Sequence, residues 1–115
     1  MNIKDLTEQE RLVFGGLIHM VIDADKKLSR QEMEELHQLS GVAEPEQLWK
    51  ILDHAAEEFR NAEQVHQAAL KVTRPEVREG IYAALLRIAE QEGIVRSEAA
   101  ILDWLVDNWK LPRDS

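Results

Sequence analysis

The sequence contains no cysteine. No disulfide framework, zinc–thiolate centre or thiol nucleophile is therefore available to it. Proline and glycine are scarce, at 3 and 5 positions of 115. Few apolar residues alternate with polar ones, so strands and their tight turns are hard to place. Basic charge is in deficit: 14 Lys and Arg stand against 22 Asp and Glu, a formal net charge of −8. A surface of that sign repels phosphate backbones, so no nucleic-acid partner is expected, whereas metal cations or basic protein patches suit it. No apolar run is long enough to cross a bilayer, and Met1-Asn2-Ile3-Lys4-Asp5 lacks the charged-then-apolar pattern of a signal peptide. The expected setting is the cytoplasm, without direct membrane insertion.

What is present points to helices. A hydrophobic fraction of 44% in 115 residues supplies one core and one domain, spanning 1–115. Thr7-Glu8-Gln9-Glu10, Ser29-Arg30-Gln31-Glu32 and Thr73-Arg74-Pro75-Glu76 are capping-box patterns, the last with Pro in the first turn. Glu44-Pro45, Asn61 and Ser97 are further starts; stops fall near 23–27, at Gly41, near Arg60, at Gly93 and at Leu111-Pro112. The pattern predicts an all-α bundle of about six helices, over about 8–24, 30–40, 45–59, 62–72, 75–91 and 97–110. In the first, Leu12, Val13, Phe14, Leu17, Ile18, Val21 and Ile22 cover most of the circumference, which predicts a central, buried helix. Gly15-Gly16 in its middle costs roughly 1 kcal/mol per glycine relative to alanine, and a close helix crossing is the expected return. The helix over 75–91, with Val77, Ile81, Leu85, Leu86, Ile88 and Ala89, reads as its counterpart.

These two apolar helices end alike. The first runs into Asp23-Ala24-Asp25-Lys26-Lys27-Leu28-Ser29, followed by Glu32; the second into Glu90-Gln91-Glu92-Gly93-Ile94-Val95-Arg96-Ser97, followed by Glu98. Each unit is an apolar helix, two carboxylates two apart, a hydrophobic plug, a capping serine and an amphipathic helix. This repeat resembles the signature of the TerB-like family, which includes the tellurite-resistance protein TerB and the N-terminal domain of a DnaJ-type co-chaperone. That signature reads roughly Ala-Asp-Gly, any residue, hydrophobic, Ser, then Glu. Ala24-Asp25-Lys26-Lys27-Leu28-Ser29 with Glu32 departs from it at Lys26; Glu92-Gly93-Ile94-Val95 with Glu98 departs in Glu92 for Asp and Arg96 for Ser. The resemblance covers about 8–40 and 75–111. It implies a compact helical domain without established catalytic activity, associated with stress responses including tellurite, whose acidic positions are candidate metal or partner sites.

The residues that could carry chemistry each admit a plainer reading. Asp23, Asp25 and Glu32, repeated as Glu90, Glu92 and Glu98, offer the oxygen ligands that Ca²⁺ or Mg²⁺ requires. An EF-hand is excluded: with Asp23 in its first position, the sixth, which needs Gly, is Leu28. In the plainer reading these carboxylates cap loop N–H groups and favour helix N-termini. Geometry decides whether the two clusters cooperate, since antiparallel packing of the two apolar helices would leave them at opposite ends. His19, His37, His54 and His66 form no ligand pair at helical spacing, and no Ser or Cys nucleophile motif accompanies them, so no enzyme is expected. In the last helix Ile101, Leu102, Trp104, Leu105, Val106 and Trp109 span more than one face. Either that helix is sandwiched between others, or Trp104 and Trp109 form a partner-binding or self-association surface; Trp49 raises the same alternative. The reading is a non-enzymatic binding or adaptor module, with a divalent cation, a protein partner or a second copy as its ligand.

Overall fold

The computed structural model describes residues 6–22, 34, 37, 38, 45–91 and 100–111. Five helices order the described chain: α1 (Glu8–Ile22), α2 (Pro45–Glu58), α3 (Ala62–Leu70), α4 (Pro75–Gln91) and α5 (Ala100–Trp109), with no strand among the described residues. The expected helix over about 30–40 lies almost wholly outside them, although Glu34, His37 and Gln38 are helical. The radius of gyration, 12.9 Å, matches the roughly 13 Å expected of a compact chain of this length.

The helix starts follow their local chemistry. At α1 the Thr7 N–H donates to Glu10 Oε1 (2.8 Å) while the Glu10 N–H donates to Thr7 Oγ1 (3.2 Å), a reciprocal capping box. At α3 Asn61 is extended (φ −152°), and its Oδ1 accepts from the Gln64 N–H at 2.9 Å. Gln64 reaches back in turn to accept from the Arg60 N–H at 2.7 Å. The start of α4 differs from the pattern read in the sequence. The Arg78 N–H donates to the Arg74 carbonyl (3.0 Å), which makes Arg74 rather than Thr73 the cap residue and Pro75 the first helical position. Proline is well placed there because its missing N–H would have had no helical partner. The α5 terminus closes with Lys110 at φ 54° and the Leu111 N–H donating to the Val106 carbonyl at 3.1 Å, a Schellman closure.

As the apolar pattern predicts, α1 is the hub. Val13, Phe14, Leu17 and Ile18 are fully buried, and α1 packs on all four other helices. Gly15 is where α2 crosses. A Cβ built there would stand 2.8 Å from the Ile51 carbonyl oxygen and 2.9 Å from Ala55 Cβ, so only glycine admits this approach. Gly16 faces softer neighbours, Phe59 Cδ2 at 2.9 Å and Val65 Cγ2 at 3.1 Å.

Chain direction follows from what meets at each end. Val65, early in α3, lies against Gly16, while Lys71, just past its end, lines the same groove as Glu8 and Gln9, and Arg74 three residues further on reaches Glu10. Helix α3 therefore runs opposite to α1. Arg74, the cap of α4, holds Glu10 in the first turn of α1, donating from Nε to Oε2 at 3.0 Å and from Nη2 to Oε1. The two apolar helices thus start at one corner and run in the same sense, which excludes the antiparallel packing left open by the sequence. Trp109, at the end of α5, donates from Nε1 to the Ala69 carbonyl near the end of α3 (2.9 Å). The Arg78 guanidinium carbon, in the first turn of α4, lies 6.0 Å from the Trp109 ring centroid, so α5 returns against α4.

Glu10 is the one buried charged side chain among the described residues. The Arg74 guanidinium bonded to it holds its carboxyl below the ordinary carboxylate value; burial opposes this, and the Thr7 N–H assists. A group whose pKa is lowered by folding binds fewer protons in the folded than in the unfolded state. Its contribution to stability is complete above the unfolded value, about 4.3, and is lost as pH falls through the folded one. The Arg74 side chain is 41% exposed, so solvent screens part of the attraction. Glu10→Gln is expected to cost about 1–3 kcal/mol at pH 7. Urea titrations at pH 7 and below pH 4.5 should show the gap to wild type closing in acid, and a constant gap would assign the loss to packing.

Candidate functional site

The five acidic positions singled out in the sequence, Asp23, Asp25, Glu32, Glu92 and Glu98, all lie outside the described residues. What is described is the framework that leads to them: α1 up to Ile22 and α4 up to Gln91, two helices that begin together at the Glu10–Arg74 pair. Glu90, in the last turn of α4, is exposed. Among the described residues no three His, Cys, Asp or Glu side chains stand close enough to hold a metal ion.

The three tryptophans part company. Trp49 on α2 is 48% exposed, and with Leu70 at 45% it is one of two large apolar side chains open to solvent among the described residues. Trp104 is half-buried. It stacks on His66 of α3 with ring centroids 4.4 Å apart and planes 14° from parallel. Trp109 is 2% exposed and belongs to the core, its one polar atom satisfied by Ala69. With Ile101, Leu102, Leu105 and Val106 also buried, most of α5 fits the sandwiched alternative. Trp109 itself offers no surface to a partner while the fold is closed.

Three of the histidines, His19, His54 and His66, serve the fold or face solvent. His19 Nε2–H donates to the Leu52 carbonyl at 2.9 Å, bonding α1 to α2 just beyond the Gly15 crossing. His66 is half-buried under Trp104, and His54 is exposed on α2.

The described surface is concave where α1, α2 and α3 meet. A groove of about 770 Å³ has Leu12, Phe59 and Ala68 as its floor and Glu8, Glu58, Glu63 and Lys71 on its rim. It adjoins a more apolar hollow of about 560 Å³ past Gly16, Met20, Ala55 and Val65, with Phe59 and Asn61 common to both. Nothing in the sequence pattern singled out Phe59. The only available signal was Gly15-Gly16, which announces that another helix comes close there.

The architecture defined by these elements is an all-α globule around one central helix, with α1 and α4 running one way and α3 and α5 the other. No protein-family model matches the chain, nor does any curated protein or solved structure. Among the described residues no helix is long and apolar enough to cross a membrane.

Proposed function

We propose that this chain is a non-enzymatic binding or adaptor module of the TerB-like kind, serving a bacterial stress response of the tellurite or toxic-oxyanion type. Its working positions are Asp25 and Glu92, supported by Asp23, Glu32 and Glu98. They either coordinate a divalent cation, Ca²⁺ or Mg²⁺, or present an acidic patch to a basic partner.

One observation carries this reading. The helices that lead into the two acidic segments start side by side at Glu10 and Arg74, so the segments are not forced to opposite ends of the domain. The charge of −8 supports a cationic ligand of either sort.

Thermal unfolding after chelator treatment, with and without millimolar Ca²⁺ or Mg²⁺, tests the cation. An ion at 100 times its dissociation constant stabilises the fold by about 2.7 kcal/mol, a rise of roughly 10 °C for a domain of this size. The expected result is a rise in the wild type that Asp25→Asn/Glu92→Gln loses. An unchanged midpoint with both ions would remove the cation and leave those carboxylates as helix caps.

A second reading, a protein-interaction or dimerisation domain without a cation, is favoured by exposed Trp49 and by half-buried Trp104. Under it Trp49→Ala or Trp104→Ala abolishes partner capture or dimerisation while Asp25→Asn leaves it intact.

A further inference from the structure

The described lining of the groove between α1, α2 and α3 is a set of side chains distinct from the acidic positions read from the sequence, and its chemistry is its own. Its floor is apolar: Leu12, Phe59 and Ala68 are half-buried, and the adjoining hollow continues past Met20, Ala55 and Val65. Its rim is acidic. Among the described residues Glu8, Glu58 and Glu63 make no ion pair or hydrogen bond through their carboxylates, and Lys71 is the one basic side chain that lines the groove with them.

A second feature points the same way. Helix α2 ends on Glu57-Glu58 with no basic residue in its last turn, so two carboxylates sit at the negative end of its dipole. The last turns of α3, α4 and α5 lack a basic residue as well, so what the α2 end contributes is its position at the mouth of the groove. The ligand that suits an acidic rim is cationic, and the floor beneath asks it to be apolar on one side.

We propose that this groove docks a basic amphipathic helix of a partner protein, its leucine-type face on Phe59, Leu12 and Ala68 and its lysines or arginines on Glu8, Glu58 and Glu63. Helix-in-groove recognition combines those two requirements, with apolar anchors at helical spacing for affinity and rim charges for steering. The proposal rests on the reading of the chain as a binding module, but not on a cation at Asp25 or Glu92.

The test uses a fluorescent synthetic helix of leucine and lysine, about 18 residues long, and a scrambled peptide of the same composition that lacks the helical period. Binding of each to the whole chain is followed by anisotropy. The expected result is binding of the amphipathic peptide about tenfold tighter than the scrambled one, weakened about tenfold by Glu58→Lys/Glu63→Lys. Asp53→Lys/Glu79→Lys, the same charge change on exposed positions outside the groove, should weaken it less than threefold or so. Equal losses in the two charge-reversed proteins, or equal binding of the two peptides, would overturn the proposal in favour of a general charge effect. Sedimentation of the chain alone supplies the other outcome: a dimer broken by Glu58→Lys/Glu63→Lys would make a second copy the occupant. Thermal midpoints confirm that each variant is folded, and Glu58→Gln/Glu63→Gln replaces the lysine pair if that one is not. The cation experiment reads Asp25 and Glu92 alone, so either idea can fail without the other.

Discussion

Trp109→Ala is expected to lower stability by about 3–5 kcal/mol, among the largest losses that any single truncation in this domain should produce. The side chain is 2% exposed at the junction where α3 ends and α4 begins. Its removal opens a large cavity, takes the Nε1–H from the Ala69 carbonyl, and leaves Arg78 without the ring it lies against. The Ala69 carbonyl retains the Val72 N–H at 3.1 Å, so the greater part of the cost is lost packing rather than an orphaned acceptor. Trp109→Phe separates the two: it keeps most of the volume and loses the hydrogen bond, for about 1 kcal/mol from that bond. In thermal unfolding the alanine variant should fall by about 12–20 °C. The functional consequence is direct. A loss of partner capture in Trp109→Ala reports an unfolded protein, so tests of an interaction surface belong at Trp49 and Trp104. A midpoint within a few degrees of wild type would show that Trp109 is not part of the core.

The second large effect is at the helix crossing. In an ordinary helix interior Gly→Ala gains roughly 1 kcal/mol from propensity, yet Gly15→Ala is expected to destabilise by about 1–3 kcal/mol, and Gly15→Val by more. The added carbon meets the Ile51 carbonyl oxygen at 2.8 Å. That atom belongs to the backbone of α2, so relief requires the two helices to move apart, and the His19–Leu52 hydrogen bond lies beside the same crossing. Gly16→Ala is the control. Its nearest neighbours are a half-buried phenyl ring and a valine methyl, which can shift at modest cost, and the propensity gain offsets them. Urea unfolding should therefore place Gly16→Ala within about 1 kcal/mol of wild type and Gly15→Ala clearly below it. Equal stabilities for the two variants would mean that α2 does not approach α1 as described.

The two glycines illustrate how far the chain can be read by eye. Gly15-Gly16 in an apolar helix announced a close neighbour, but which helix came close, and at which of the two residues backbone met backbone, depends on α2, some thirty-five residues further on. Capping boxes were legible because they are local: Thr7 and Glu10 are three apart and bond each other. The same pattern at Thr73–Glu76 misled by one residue, because Pro75 prefers the first helical position and the Arg74 side chain is engaged with Glu10. That engagement spans 64 residues and leaves no trace in spacing or periodicity. The tryptophans were legible as a class, large apolar groups exceeding one helix face, but not individually. The acidic positions Asp23, Asp25, Glu32, Glu92 and Glu98 were legible only as a repeat, and they lie outside the described residues.

By itself the sequence determined that the chain is helical and acidic, where most of its helices start, and that the first helix, over about 8–24, is central. Each of these depends on residues within a turn or two of one another, or on composition. Only the tertiary structure decided that α1 and α4 run in the same sense, that Trp109 is core while Trp49 is surface, and that Phe59 floors a groove rimmed by Glu8, Glu58 and Glu63. Those outcomes are set by contacts between residues far apart in the chain. Each depends on how several amphipathic faces are satisfied at once, and a one-dimensional pattern specifies each face without specifying its partner.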